Sequence, residues 1–282
     1  ANNRLRQAAL HDPLTGLPNR ALLQDRVELA LAKAQRRNHR VALLSMDIDG
    51  FKAVNDAHGH RMGDQLLCCI AERLVPLIKA QDTLARLGAD EFVIVSLVES
   101  PDESALLADR ITGAIAEPVV IEDIELLLTA SIGIALYPDD ARNERELMAH
   151  ASAAMTHTKQ GGRNGHTFYT AAMQVSSDRQ LRLLQDLRRA LTREELILYY
   201  QPKLHADGKR VTGAEALIRW QHPELGLVFP DTFIVIAERS GLIIPIGRWV
   251  LNRACAQLKQ WHQAGHPDWT MAVNLSAVQF TS

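Results

Sequence analysis

The chain has 282 residues, 47% apolar and 23% charged, which is ordinary for a soluble globular protein and long enough for two domains with separate cores. Its 31 Lys and Arg against 33 Asp and Glu give a net charge of −2, so there is no electrostatic footprint for a DNA or RNA polymer. With no long apolar run, no signal peptide and only Cys68, Cys69 and Cys255 as cysteines, the sequence reads as cytoplasmic, without a membrane segment or a disulfide framework.

Residues 1–10 carry Leu5, Ala8 and Ala9 at helical spacing and read either as the end of a connecting helix or as a frayed terminus. After the turn-rich segment from His11 to Arg20, the positions Leu22, Leu23, Val27, Ala30 and Leu31 predict a helix over residues 20–35. Residues 41–49 predict a buried strand ending in Asp47 and Asp49, which strand periodicity puts on one face. Carboxylates at the end of so apolar a strand are costly to desolvate unless they are paired, cap the next helix or hold a cation. Gly50, Phe51 and Lys52 lead to a Gly-bearing turn over residues 55–64, where Asn55 and Asp64 offer donors and acceptors suited to a purine edge. His58 and His60 lie in that turn without the spacing of a zinc site.

Residues 65–77 predict a helix broken near Pro76, with Leu66, Leu67, Ile70 and Leu74 on its apolar face. Lys79-Ala80-Gln81-Asp82 then leads to Arg86-Leu87-Gly88-Ala89-Asp90-Glu91-Phe92, which reads as two short strands joined by a tight turn. Asp90 and Glu91 at its tip repel each other unless a cation sits between them; an acidic turn facing solvent is the other reading. A helix over residues 102–117, strands over 121–128 and 129–137, and a helix over 144–160 follow. Lys159 and Arg163 flank the end of the last helix, where basic side chains either meet phosphate oxygens or complement the helix dipole.

Residues 171–177 form a weak boundary, and residues 178–193 predict a helix with Leu181, Leu184, Leu187 and Leu191. A strand over 196–202 contains Gln201, and a strand over 211–220 contains Glu215, Leu217 and Arg219. Glu215 is expensive there unless it pairs with Arg219, four residues on and on the same face, or ligates a cation. Helices from Pro230 and over 242–261 precede a third strand over 270–276 that holds Asn274. This alternation resembles a TIM-type barrel.

Two stretches carry a family resemblance. Residues 86–92 resemble the GGDEF signature of diguanylate cyclases, with Ala89 in place of the second Gly, and Glu215-Ala216-Leu217 resembles the signature of the EAL phosphodiesterases. The resemblance implies a protein of cyclic di-GMP turnover: GGDEF domains condense two GTP into cyclic di-GMP, and EAL domains hydrolyse it. It divides the chain into the end of a linker helix (1–10), a GGDEF-like domain (11–170), a linker helix (171–193) and the N-terminal part of an EAL domain (194–282). The implied fold is an α+β palm with a mainly antiparallel sheet flanked by helices, followed by the first part of a TIM-like α/β barrel.

By the same resemblance, Mg²⁺ (or Mn²⁺) is expected on Asp47, the carbonyl of Ile48, Asp90 and Glu91, with Asp90 and Glu91 catalytic. Asn55 and Asp64 would hold guanine, and Phe51, Lys52, Lys159 and Arg163 the phosphates; Gly88 and Ala89 form the signature turn. Glu215 and Asn274 would be metal ligands in the EAL part, with Gln201, Leu217 and Arg219 against the dinucleotide. Lys79 and Asp82 occupy the family's inhibitory motif, but Lys79 replaces an Arg and lacks its planar fork, so weak or absent feedback binding is expected. Ser152 and Thr156 replace an Asp and a Tyr of the family helix. A positive φ at Ala89 would cost about 1 kcal/mol, and a ligand packed on that α-carbon would lose far more.

The expectation is therefore a GGDEF module that binds GTP, is impaired for synthesis and regulates an EAL phosphodiesterase; an active cyclase and a non-enzymatic nucleotide receptor are the alternatives. A homodimer and an upstream sensor domain are expected, with membrane tethering through another region left open. The start without Met and the end soon after Asn274 suggest a fragment, with the remaining EAL ligands beyond Ser282.

Overall fold

The computed structural model describes residues 9–37, 39–206 and 208–280, so most of the expected connecting helix over residues 1–10 lies outside them. The chain forms two compact units, Ala1–Val175 and Ser176–Ser282.

The first unit contains, in order, α1 (Arg20–Arg37), β1 (Arg40–Asp49), α2 (Phe51–His58), α3 (His60–Leu74), β2 (Thr83–Gly88), β3 (Glu91–Val98), α4 (Pro101–Ala116), β4 (Val119–Ile121), β5 (Ile124–Leu126), β6 (Thr129–Tyr137), α5 (Glu144–Gln160) and β7 (Gly165–Phe168). Five strands make one sheet in the order β2-β3-β1-β6-β7, antiparallel except where β7 joins β6. This is the mainly antiparallel α+β sheet that the sequence predicts.

Both faces of β1 are covered, which is why residues 41–46 read as an almost unbroken apolar run. Ala42, Leu44, Met46 and Ile48 enter one core with Leu66 and Ile70 of α3 and Ala108 and Ile111 of α4. Val41 and Leu43 enter the opposite core with Leu23 and Val27 of α1 and Leu147 and Ala151 of α5. Each buried Leu or Ile contributes about 1.5–3 kcal/mol. Strand alternation carries Ser45, Asp47 and Asp49 onto this second, α5-facing side. Gly133 of β6 brings α5 close: a Cβ there would lie 2.0 Å from the Met155 nitrogen and 2.1 Å from the Ala151 carbonyl oxygen.

Several boundaries depart from the sequence reading. Residues 55–64 are not an open turn; α2 and α3 meet at Gly59, whose φ of +84° breaks one helix and starts the next. Residues 121–128 are not one strand but part of a hairpin, β4 and β5, turned by Glu122 and Asp123 at φ +48° and +66°. The helix expected over 178–193 instead spans Ala171–Ala190 (α6).

In the second unit, β8 (Leu196–Leu204), β9 (Val211–His222) and β10 (Gly226–Val228) precede α7 (Pro230–Ser240), α8 (Ile243–Gln263) and β11 (Thr270–Val273). Here β9 is central, antiparallel to β8 and β10 and parallel to β11. A barrel-like parallel crossover therefore exists between β9 and β11, but the first strands form an antiparallel meander rather than the strand-helix alternation expected. Trp220, Phe233, Ile243 and Ile246 fill the core with Leu183 and Leu187 of α6. The Trp220 indole N–H donates to Glu195 at 3.0 Å, which satisfies its one polar atom.

Candidate functional site

The first site is built around the turn between β2 and β3. Gly88 pairs with Glu91, so Ala89 and Asp90 alone make the loop. Ala89 has φ +43° and Gly88 φ +137°. The positive φ foreseen as a condition at Ala89 is thus realised, and the residue carries backbone strain of about 1 kcal/mol that a Gly would not. Arg86 holds the loop from beneath: its Nε and Nη2 donate to the Ala89 carbonyl at 3.1 and 2.7 Å, and its Nη1 donates to both carboxylate oxygens of Asp12 at 2.9 and 2.8 Å. Asp12 also accepts from the Thr15 N–H and hydroxyl. Burial alone would raise the Asp12 pKa; Thr15 and the Arg86 guanidinium outweigh it and hold the carboxyl below the usual carboxylate range. The sequence reading gave Asp12 and Arg86 no role, although Asp-Pro-x-Thr-Gly is a turn signal that could have marked Asp12.

Asp47 on β1 faces Glu91 on β3 in register. Like charges directly opposite on neighbouring strands repel. Burial, reinforced by the neighbouring Asp90 and opposed by Lys159, pushes the Asp47 pKa up. Glu91 is raised too, by burial first and then by Asp47 and Asp90, against Arg20. Lys159 of α5 supplies the counter-charge, with Nζ 2.6 Å from Asp47 Oδ2. Its reach follows from packing: Ser45 touches Met155 at 3.6 Å, and one helical turn on from Met155 matches two strand residues on from Ser45.

Asp49, absent from the predicted site, is tied down by the hydroxyls of Thr129 and Ser131 at 2.7 and 2.8 Å and by the Asn164 N–H at 3.2 Å, with Arg163 Nε at 3.8 Å. It does not cap α2, whose N-cap is Gly50. Among the described residues no three Asp, Glu, His or Cys side chains converge to hold an ion, so the carboxylates expected on Mg²⁺ are neighbours but not a closed cluster. The donor set still suits a hard cation: oxygen ligands, a shared negative field and a displaceable ammonium.

Phe51 and Lys52 open α2, Phe51 buried and Lys52 exposed, and Ile48 is buried between the two aspartates. Asn55 and Asp64 stand on successive helices. Asn55 Oδ1 is buried with no hydrogen-bond partner, in a space kept open by Gly63, where a Cβ would lie 2.0 Å from that oxygen. Asp64 is exposed and borders a cavity of about 400 Å³ with Leu14, Arg61 and Cys68. Lys79 pairs loosely with Glu103 at 3.5 Å, while Asp82 accepts from the Ser96 hydroxyl at 2.7 Å and keeps Oδ1 buried without a partner. These two line a separate cavity of about 540 Å³ with Arg26 and Lys33.

The second site lies on β8, β9 and β11. Gln201 is in register with Glu215, so alternation puts Gln201, Glu215, Leu217 and Arg219 on one sheet face. Gly213 lets β11 approach, since a Cβ there would sit 2.0 Å from the Thr270 carbonyl oxygen. Asn274, just past β11, donates from Nδ2 to Glu215 Oε1 at 2.7 Å. Glu215 therefore pairs with Asn274 and not with Arg219, the buried ion pair left open by the sequence. Ser276 donates to Glu238 at 2.6 Å and secures the turn that carries Asn274.

Comparison with known proteins assigns a family to each part of the chain. The family description "Diguanylate cyclase, GGDEF domain" matches residues 9–165, more than half the chain, and "EAL domain" matches residues 184–282. The chain is 52% identical over 280 residues to the bifunctional diguanylate cyclase/cyclic di-GMP phosphodiesterase MucR of Pseudomonas aeruginosa, covering 99% of this chain and 41% of MucR. It is 39% identical to the cyclic di-GMP phosphodiesterase PdeR of Escherichia coli, covering 99% of this chain and 42% of PdeR. The chain thus spans well under half the length of these relatives.

Among solved structures, the GGDEF domain of YfiN (TpbB) from P. aeruginosa superposes with a TM-score of 0.58 at 34% identity, covering 60% of this chain and 99% of that domain. The GGDEF domain of DgcB from Caulobacter crescentus, solved in complex with cyclic di-GMP, gives 0.54 at 29% identity, covering 57% of this chain and 95% of that one. The chain belongs to the GGDEF–EAL family of cyclic di-GMP signalling proteins.

Proposed function

We propose that this chain serves cyclic di-GMP turnover as a GTP-binding GGDEF unit that regulates hydrolysis of cyclic di-GMP by an EAL domain. The observation that carries this reading is the 2.7 Å bond between Asn274 and Glu215, 59 residues apart, at a face that also bears Gln201, Leu217 and Arg219. A half-buried carboxylate held by an amide next to an Arg suits a phosphodiester and a cation better than it suits an apolar strand. A divalent cation, Mg²⁺ or Mn²⁺, would supply Lewis acidity and charge neutralisation at the phosphates. Glu215 and Asn274 would hold it there, and Arg219 would bind phosphate oxygens.

In the GGDEF unit, Asp47, the carbonyl of Ile48, Asp90 and Glu91 would hold the same kind of cation. The orphaned Asn55 Oδ1 is an acceptor matched to guanine N–H donors, with Asp64 as its companion. Phe51, Lys52, Lys159 and Arg163 would bound the triphosphate. Two such units have to face each other for synthesis, because the product joins two nucleotides; this supports a homodimer.

A second reading, retained synthesis, is favoured by the intact Asp90 and Glu91 on a correctly paired hairpin and by the bifunctional name of MucR. The test is mass-spectrometric assay of the full-length protein for cyclic di-GMP hydrolysis with and without GTP, and for synthesis from GTP and Mg²⁺. Hydrolysis that GTP modulates and that Glu215→Ala abolishes is expected. Synthesis at a rate matching hydrolysis would establish the second reading instead.

A further inference from the structure

The cyclic di-GMP reading of the second unit leaves two aromatic side chains without a role. Tyr199 of β8 is in register with Leu217, which places it on the face that bears Gln201, Glu215 and Arg219. Phe229, the N-cap residue of α7, reaches the same guanidinium. Arg219 Cζ lies 5.7 Å from the Tyr199 ring centroid and 5.1 Å from that of Phe229, both within cation–π range. The rings stay 49% and 54% exposed, so neither is explained as core packing.

Arg219 itself is incompletely satisfied. Its Nη1 donates to the Ile218 carbonyl at 2.8 Å, while its Nε is buried with no hydrogen-bond partner. A buried donor without an acceptor is costly, and a guanidinium held between rings matches the planar recognition of a phosphodiester. An anionic oxygen of a ligand is the acceptor that the site lacks.

We propose that Tyr199 and Phe229 are positioning residues for the dinucleotide: their rings hold the Arg219 guanidinium so that its unpaired N–H groups meet phosphodiester oxygens. The inference rests on the cyclic di-GMP reading of this face. Fixing a long, flexible side chain before binding removes ordering entropy from the association step, so its loss shows in KM rather than kcat.

The experiment is steady-state cyclic di-GMP hydrolysis by the full-length protein, with calorimetric binding of cyclic di-GMP alongside. Phe229→Ala and Tyr199→Ala should each raise KM about tenfold, with kcat within about twofold of the parent. Phe229→Tyr should keep the parental KM and Phe229→Leu should not, because Leu restores bulk without a ring quadrupole. In an Arg219→Ala background the Phe229→Ala effect should vanish. A parental KM in Phe229→Ala, or full rescue by Leu, overturns the proposal while leaving the phosphodiesterase reading intact. A parent protein that neither binds nor hydrolyses cyclic di-GMP overturns both.

Discussion

Arg86 joins Asp12 to the signature turn: one nitrogen of the guanidinium is 2.9 and 2.8 Å from the Asp12 carboxylate oxygens, and the other two donate to the Ala89 carbonyl. Both side chains are nearly buried, so removing one leaves the other charge uncompensated. Arg86→Met should destabilise the first unit by about 3–5 kcal/mol, read by urea unfolding. A loss under about 1 kcal/mol would mean that the turn holds itself.

The same pair predicts a pH dependence. The Asp12 pKa is depressed in the folded chain, so its contribution is full above the unfolded value and is lost as pH falls through the folded one. Asp12→Asn should therefore be less stable than the parent at pH about 7, and the gap should narrow once pH drops below the ordinary carboxylate range near 4. A gap that stays constant across that range would show that the Asp12 pKa is not depressed on folding, and that neither Thr15 nor Arg86 draws stability from its charge.

On the proposed cation reading, the 2.6 Å ion pair makes Lys159 a competitor of the incoming cation for Asp47. Lys159→Gln should raise Mn²⁺ affinity several-fold without nucleotide, because no ammonium has to be displaced. It should also weaken GTP binding about tenfold or more through loss of a charge-assisted contact. Opposite signs in the two titrations are the diagnostic result. A fall in both would make Lys159 a scaffold for Asp47 rather than a competitor.

Regular periodicity made much of this legible. The run from Val41 to Asp49 specified a strand covered on both faces, and its alternation correctly put Asp47 and Asp49 together. What escaped the sequence depended on backbone or on distance. Glu122 and Asp123 adopt positive φ without a Gly to announce it, so two strands read as one. Asp12 and Arg86 lie 74 residues apart, beyond any local pattern. Glu215 has Arg219 as its evident local partner, yet a crossover through α7 and α8 delivers Asn274.

Ala89 at φ +43° sets a further expectation. Ala89→Gly relieves strain of about 1 kcal/mol in the folded turn but adds unfolded-state entropy of about 0.4–1 kcal/mol, so global stability should hardly move. Any effect should appear in chemistry: cyclic di-GMP made from GTP and Mg²⁺ should rise, because removing the methyl opens the turn to the ligand. If the parent already matches the Gly variant, Ala89 is compatible with synthesis and the impaired reading of this unit fails.

The cavity of about 540 Å³ beside Lys79 and Asp82 gives the last prediction. Lys79 is exposed and loosely paired with Glu103 at 3.5 Å, and Asp82 spends one oxygen on Ser96. The other Asp82 oxygen is buried without a hydrogen-bond partner, and burial pushes this carboxyl's pKa up. On the inhibitory-site reading, Asp82 would supply the acidic half of the motif and Lys79 a point charge without a planar edge. Cyclic di-GMP should bind here weakly, and Lys79→Arg should tighten it by about tenfold, because the guanidinium can both stack and make paired hydrogen bonds. Calorimetry on the Glu215→Ala background isolates this site from the second unit. Tight binding by the parent on that background, lost in Asp82→Ala, would show that Lys at position 79 suffices.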